Sequence, residues 1–245
     1  MTTIIGKSIE RTDAPSKVRG KALYSGDYYA KDMVHCVLVR SSVAHGTIKT
    51  ITIPSLPKGT YFYSAKDLKN NTIPSICNDQ LIFATDHVRY LGEPIAIVAS
   101  PTLKEAQEFA SKVKVEIETL PVLDDYEKAL DDSAPLLYEK GNLCSQFHSE
   151  KGNVEVFSKA FIVLEESFHM PIQCHGFLEP EASFAYSDEK GVLNLICSTQ
   201  NVYVDKNLAC HALGLSPDKV NVRSGVVGGG FGGKEANTNQ VYVAI

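Results

Sequence analysis

Apolar positions in the first half of the chain follow strand and helix periods in turn. Val34-His35-Cys36-Val37-Leu38-Val39-Arg40 is a nearly unbroken apolar run of strand length. Ile48, Ile51 and Ile53 mark a second strand, stopped by Pro54 and Pro57. Thr60-Tyr61-Phe62-Tyr63 predicts a third, and Ser64 with Asp67 then forms the S-x-x-D pattern of a helix cap. The clearest unit is Pro94-Ile95-Ala96-Ile97-Val98-Ala99, a buried strand, followed by Thr102 and Glu105 as a capping box. Ala106, Phe109, Ala110 and Val113 recur at helical spacing, and Val113 to Glu118 alternates like a half-buried strand. This β–α–β pattern predicts an α/β domain over residues 20–125. The helix is short enough to reverse the strand or to cross over, and both connections remain open at this point. Residues 1–19 are polar and predict an extended arm.

Residues 126–153 mix Asp, Ser, Pro and Gly and predict a linker. From Val154 the pattern changes. Ala160 to Phe168, Ala182 to Tyr186 and Val192 to Cys197 predict antiparallel strands. Asn201 predicts the cap of a helix running to Leu213 and ended by Gly214. Val220 to Arg223 predicts a strand, and Ala236 to Ile245 is helix-like. That last run ends on Val241, Val243 and Ile245 with no C-cap glycine and no polar tail. An uncovered apolar end predicts that the second domain, residues 154–245, is incomplete. It is either a truncated product or a domain finished by another chain, and residues 150–245 are expected not to fold without help.

Between the strand at Val220 and the terminal helix lies Gly225-Val226-Val227-Gly228-Gly229-Gly230-Phe231-Gly232-Gly233-Lys234-Glu235, which holds six glycines in nine positions. Glycine weakens regular structure by about 0.5–1 kcal/mol relative to alanine, so such a cluster implies positive φ or close approach of the backbone to another group. Strand, glycine loop and helix start together offer backbone N–H groups to an anion. A structural turn with no ligand is the plain alternative. Gly228, Gly233 and Lys234 have P-loop spacing, but Glu235 stands where the Mg²⁺-binding Ser or Thr belongs. Gly228, Gly230 and Gly233 spell G-x-G-x-x-G, whose acidic residue about 20 positions on is missing from the few residues that follow.

Composition narrows the function classes. Hydrophobic content of 44% with 22% charged residues predicts a soluble globular protein. A net charge of −5 without a long Lys/Arg run argues against nucleic acid and anionic membranes as partners. No apolar run approaches the ~18 residues of a membrane span, and Met1 to Lys7 has no export core, so a cytoplasmic location is expected. Cys36, Cys77, Cys144, Cys174, Cys197 and Cys210 show no C-x-x-C spacing and predict reduced, mostly buried thiols. His175 and Glu179 are four apart but have no third metal ligand in sequence, so no metal-ligating residue is assigned.

Val227 to Glu235 closely resembles the molybdopterin-contacting loop of the xanthine dehydrogenase/aldehyde oxidase family. Other segments resemble it in the same order. They are Arg11-Thr12-Asp13-Ala14 with Lys17 to Ala22, Arg40-Ser41-Ser42 with Ala44-His45-Gly46, and Val88 to Pro94. Gln173-Cys174-His175, Leu178-Glu179-Pro180 and Ser198-Thr199-Gln200 follow. The resemblance covers nearly the whole chain and is to the N-terminal portion of the molybdenum-binding subunit. It implies an α+β fold: an α/β hammerhead domain, then the incomplete first part of a molybdopterin-binding domain.

The resemblance also implies hydroxylation of an electron-poor carbon in an N-heterocycle or aldehyde, with water as oxygen source. Electrons leave through iron–sulfur clusters to flavin. The implied cofactor is molybdenum-molybdopterin or its cytosine dinucleotide form. The implied partners are an iron-sulfur (2Fe-2S) subunit, an FAD subunit and a second molybdopterin segment or subunit. Gln173 resembles the glutamine that hydrogen-bonds an oxo ligand of molybdenum. Gly229, Gly230, Phe231, Gly232 and Gly233 resemble the loop that approaches the metal–pterin centre.

Glu235 resembles a substrate-side carboxylate of purine-hydroxylating members, which points to a xanthine-type substrate; as a first-turn helix glutamate it has an ordinary structural reading as well. Lys234 reads equally as an aid to loop or cofactor and as a solvated lysine, and Cys174 reads as a packed thiol. The family's general-base glutamate lies downstream of these residues, so the isolated chain is expected to be inactive. An aldehyde- or nicotinate-type hydroxylase, a non-catalytic fragment and a P-loop-like nucleotide module are the alternatives.

Overall fold

The computed structural model of the chain describes residues 4–75, 77–235 and 239–245. Its first half contains two three-stranded antiparallel sheets. In one, β5 (Pro94–Ser100) lies between β1 (His35–Arg40) and β3 (Tyr61–Ser64). In the other, β2 (Gly46–Thr52) lies between β4 (His87–Val88) and β6 (Lys114–Thr119).

Every residue of β5 is buried. Its sequence allows this, because apolar side chains occupy both faces and only Ser100 carries a polar group, met by Thr60 Oγ1 at 3.0 Å. Ala96 and Val98 pack with Phe109 and Ala110 of α2 (Leu103–Lys112). Half of the expected capping box of α2 forms: Thr102 Oγ1 accepts from the Glu105 N–H at 3.2 Å, and the Glu105 carboxylate accepts from the Thr102 hydroxyl at 2.8 Å rather than from its backbone N–H. The helix neither reverses β5 nor returns to its sheet. It carries the chain across to β6 in the other sheet.

The second half holds one sheet. β7 (Ser183–Ser187) pairs antiparallel with β8 (Leu193–Cys197), which pairs parallel with β9 (Val220–Ser224). The parallel pair requires a crossover, supplied by α3 (Val202–Leu213). Asn201 Oδ1 accepts from the Val204 N–H at 3.2 Å at its start, and Gly214 ends it at φ 68°. A short helix α4 (Asn239–Ala244) closes the described chain. The sequence-predicted residues Ala236 to Thr238 of that helix lie outside the described residues.

One apolar cluster joins the halves. Leu68, Ile82, Phe83 and Ile97 of the first pack with Leu208, Ala212, Val241 and Tyr242 of the second. The Tyr242 ring lies 5.2 Å from Phe83, and its hydroxyl donates to the Ile82 carbonyl at 3.2 Å. This corrects the expectation that the C-terminal apolar end is uncovered. Val241 is buried, and Val243 and Ile245 are half-buried, because the first half of the same chain supplies the cover.

Three further expectations change. The N-terminal arm is not wholly extended: Pro15 starts a one-turn helix, α1 (Ala14–Val18), steadied by Asp13 to Lys17 at 2.8 Å. The strand expected over Ala160 to Phe168 does not form. That stretch runs unpaired, with Phe161 98% exposed and Ile172, just beyond it, 102%. A strand needs a neighbour to take its N–H and C=O groups, and the described residues supply none here. The cysteines are free but not mostly buried. Only Cys197 is, while Cys144 and Cys174 are exposed, so Cys174 is not a packed thiol.

Phe83 is completely buried at the junction of the two halves. Phe83→Ala is expected to lower stability by about 3–5 kcal/mol. It should speed amide exchange in α3 and α4 as well as in β5, and unchanged exchange in α3 and α4 would show that they do not share this core.

Candidate functional site

The glycine loop leaves β9 and is fastened at both ends. At its entry the Val226 N–H donates to the Leu23 carbonyl at 3.2 Å, so the segment after α1 lies against it. Next, Glu179 Oε2 accepts from the Gly228 N–H at 2.7 Å, from Ser198 Oγ at 2.9 Å and from Lys234 Nζ at 2.8 Å. Lys234 Nζ also donates to the Glu179 carbonyl at 2.8 Å and sits 4.6 Å from the centre of the Phe177 ring. The Lys234 side chain is 0% exposed and that of Glu179 10%. Burial pushes the Glu179 carboxyl up, but the Gly228, Lys234 and Ser198 donors outweigh it and hold it below its ordinary value.

Gln200, just after β8, fastens the far side. Its Oε1 accepts from the Gly232 N–H at 3.0 Å and the Lys234 N–H at 3.3 Å, while its own N–H donates to the Lys234 carbonyl at 2.9 Å. The fit is close enough to demand glycine. A Cβ at Gly228 would stand 2.5 Å from Glu179 Cβ, and one at Gly233 would stand 2.8 Å from Phe177 Cε1 and 3.0 Å from His175 Cγ.

Between these fastenings the N–H groups of Gly229, Gly230 and Phe231 donate to no acceptor among the described residues. Gly229 has φ 99° and Phe231 φ 55°, with Gly230 between them outside the positive range. Alternation in the sign of φ is a feature that anion-binding nests share.

The sequence-predicted residues fall as follows. Gly229, Gly230, Phe231, Gly232 and Gly233 form this loop, with Gly230 buried and the Phe231 ring exposed. Gln173 is exposed and its carboxamide has no protein partner among the described residues. It precedes His175 and Phe177, whose rings pack under Gly233, so its segment runs alongside the loop. Glu235 is exposed at the loop's end, with its N–H on the Gly232 carbonyl at 3.4 Å. A cavity of about 600 Å³ between the two halves is lined by none of these seven residues.

Lys234 is neither solvated nor free to meet a ligand; it is the buried half of the ion pair. Glu179, Ser198 and Gln200, which carried no assigned role, are the groups that shape the loop. Their signal in the sequence was polar side chains flanking strand ends, which does not by itself tell a buried clamp from a surface turn. Among the described residues no group of three or more His, Cys, Asp or Glu is placed to hold a metal ion, and no helix is long and apolar enough to cross a membrane.

Residues 19–121 match the family described as aldehyde oxidase and xanthine dehydrogenase, a/b hammerhead domain, and residues 137–245 match the molybdopterin cofactor-binding domain. The chain belongs to the xanthine dehydrogenase/aldehyde oxidase family. It is 31% identical over 248 residues to the nicotinate dehydrogenase large molybdopterin subunit of Eubacterium barkeri, which covers 99% of this chain and 58% of that subunit. It is 30% identical to a probable xanthine dehydrogenase subunit of Bacillus subtilis, over 96% of this chain and 32% of that protein. The aldehyde oxidoreductase of Desulfovibrio desulfuricans superposes with a TM-score of 0.85 at 25% identity, over 98% of this chain and 29% of that one. The chain thus spans from about a third to little more than half of these family members, and its fold is their α/β hammerhead domain followed by part of their molybdopterin-binding domain. The N–H groups of Gly229 to Phe231, without acceptors among the described residues, are a donor set compatible with the anionic cofactor of such a domain.

Two outcomes test this geometry. Lys234→Ala leaves the Glu179 carboxylate buried without its counter-charge and is expected to lower stability by about 3–5 kcal/mol. Denaturant titration should show most of that loss recovered in the double variant Lys234→Met with Glu179→Gln; no recovery would mean the pair is not the coupled unit. Asp205 of α3 is wholly buried, with Oδ1 accepting from Gln240 Nε2 at 3.3 Å. Burial raises its carboxyl to about 6, with the nearby Thr199 hydroxyl acting in the opposite direction. A raised folded-state value means its contribution is complete below the unfolded value and is lost as pH rises towards and through about 6. Stability should therefore fall by on the order of 2–3 kcal/mol between about pH 4 and pH 7. Asp205→Asn should remove that slope, and an unchanged profile would refute the assignment.

Proposed function

We propose that this chain is part of a molybdenum hydroxylase that oxidises an N-heterocycle of the xanthine or purine type with water as oxygen source. The observation that carries this reading is the run of three unpartnered amides, Gly229 to Phe231, on a loop fixed at both ends. The cofactor is molybdopterin-bound molybdenum, as the plain pterin or its cytosine dinucleotide form, and when bound it supplies the two-electron redox chemistry. The amides of residues 229–231 would hold this anionic group. The exposed Gln173 carboxamide would donate a hydrogen bond to it without adding charge. Glu235 accepts a hydrogen bond from a ring N–H of the substrate and so orients the heterocycle. A nicotinate-type ring is the second reading, favoured by the nicotinate dehydrogenase subunit, of which this chain spans 58% against 32% for the xanthine dehydrogenase relative.

Residues 126–153 serve as a linker between the hammerhead domain at 20–125 and the molybdopterin-binding part at 154–245. The exposed stretch after Ala160, with Phe161, Leu164, Phe168, Met170 and Ile172 facing solvent, becomes a strand when a second molybdopterin segment or subunit pairs with it. β-Strand addition satisfies its backbone and covers its apolar side chains in one step. A 2Fe-2S subunit and an FAD subunit take the electrons onward, the assembly works in the cytoplasm, and the chain alone is inactive.

The test is made on the assembly purified from its host. It should carry molybdenum and a pterin. Gln173→Ala should keep both while losing about a hundredfold in kcat. Glu235→Val should lower kcat/KM for purines by at least about tenfold and leave aldehydes little changed. An assembly without molybdenum would refute the activity; equal losses for purine and aldehyde would refute the role of Glu235 alone.

A further inference from the structure

Far from the glycine loop, two cysteines from distant parts of the sequence face each other. Cys77 belongs to the loop between β3 and β4, and Cys144 to the stretch joining the two halves. Their Sγ atoms are 3.3 Å apart, and Cys77 Sγ also donates to the Cys144 carbonyl at 3.1 Å. No other pair of thiols among the described residues is in such contact, and all six cysteines are free.

The approach is built, not incidental to a loose tail. Arg89 Nε donates to the Leu137 carbonyl at 2.8 Å, and its guanidinium lies 4.7 Å from the centre of the Tyr138 ring. Asn142 closes the turn: its Oδ1 accepts from the Leu137 N–H at 3.0 Å, and its Nδ2 donates to the Ala129 and Pro135 carbonyls at 3.1 and 3.0 Å. Residues 137–142 are thereby docked on the first half, and Cys144 leaves that dock directly over Cys77. Cys144 is exposed and Cys77 half-buried, so a small oxidant reaches one thiol while the other waits beside it. Closing to the S–S bond length of about 2.05 Å is a short movement that side-chain rotation at the exposed Cys144 can provide.

We propose that Cys77 and Cys144 form a reversible disulfide, a redox modification site that fastens the joining stretch to the first half of the chain. The oxidant is a low-molecular-weight disulfide. The Cys144 thiolate attacks one of its sulfurs, forming a mixed disulfide and releasing one small thiol. The Cys77 thiolate then attacks the Cys144 sulfur and releases the second. Two protein thiols are oxidised, one small disulfide is reduced to two thiols, and the two protons leave with them. The neighbouring Cys144 thiol and burial hold Cys77 above its ordinary value, which disfavours it as the first nucleophile. Oxidation moves the fixed start of the run that carries Gln173 from Asn142 to Cys144.

The test equilibrates the native assembly, or the full chain as purified, in glutathione buffers of increasing oxidised fraction, followed by acid quench and peptide mapping. The expected result is a Cys77–Cys144 cross-linked peptide, half-formed at an oxidised-to-reduced ratio at least tenfold lower than that which half-modifies the exposed, solitary Cys174. Cys77→Ser should convert Cys144 into a simple glutathione adduct with the same dependence as Cys174. If the wild-type protein yields separate adducts on Cys77 and Cys144, or leaves them reduced while Cys174 reacts, the proposal is overturned.

Discussion

An ammonium group taken completely out of water persists only where oxygen acceptors surround it. Lys234 meets that condition through one residue: Glu179 gives it both a carboxylate oxygen and a backbone carbonyl, and Phe177 offers a ring face. The same carboxylate oxygen takes the Gly228 N–H and the Ser198 hydroxyl. A single buried charge pair therefore ties the start of the loop, the end of the loop, the end of β8 and the segment bearing Gln173. Replacing the pair with apolar groups could preserve stability, but it would not reproduce this convergence, because only a multivalent acceptor holds four chain segments at one point.

The loop also depends on the first half of the chain, which touches it at its incoming end. Its outgoing end leads to α4, and α4 is held by Tyr242 on Ile82 and Phe83, which belong to the first half of the chain. Its incoming end rests on Leu23. The hammerhead domain thus acts on the site as an abutment. Small displacements of its core would move α4 and change the span the loop has to bridge, whereas the Glu179–Lys234 pair would resist only locally.

Much of this was legible in the residues. The strands at Val34, Ile48, Thr60, Pro94 and Val113 and the helices after Thr102 and Asn201 rest on local pattern and capping chemistry, which the chain expresses without help from distant parts. Most of the failures depended on a partner remote in sequence, the one-turn helix Ala14–Val18 being the local exception. Ala160 to Phe168 has strand composition but no neighbouring strand among the described residues. Val241 and Ile245 appear uncovered until Phe83 and Leu68, more than a hundred positions earlier, are brought against them. Lys234 looks solvated until Glu179 is known to face it. The family resemblance included Glu179, Ser198 and Gln200 among its matching segments but gave them no role, because what they do, fastening Gly228, Gly232 and Lys234, depends on contacts that only the fold brings together.

The conformation of Phe231 shows in which direction the loop's energetics point. A non-glycine residue at φ 55° carries a strain of about 1–3 kcal/mol and persists only when its surroundings over-determine it. Packing of its own ring cannot be the compensation, because Phe231 is 75% exposed. The fastenings on either side, Gly228 on Glu179 and Gly232 on Gln200, fix where the intervening backbone must run. With that path imposed, the amides of Gly229, Gly230 and Phe231 are left without acceptors among the described residues. A loop under selection for stability alone would relax Phe231 and turn these donors towards neighbouring carbonyls. Strained, unpartnered donors of this kind are the arrangement that the proposed anionic ligand would complete.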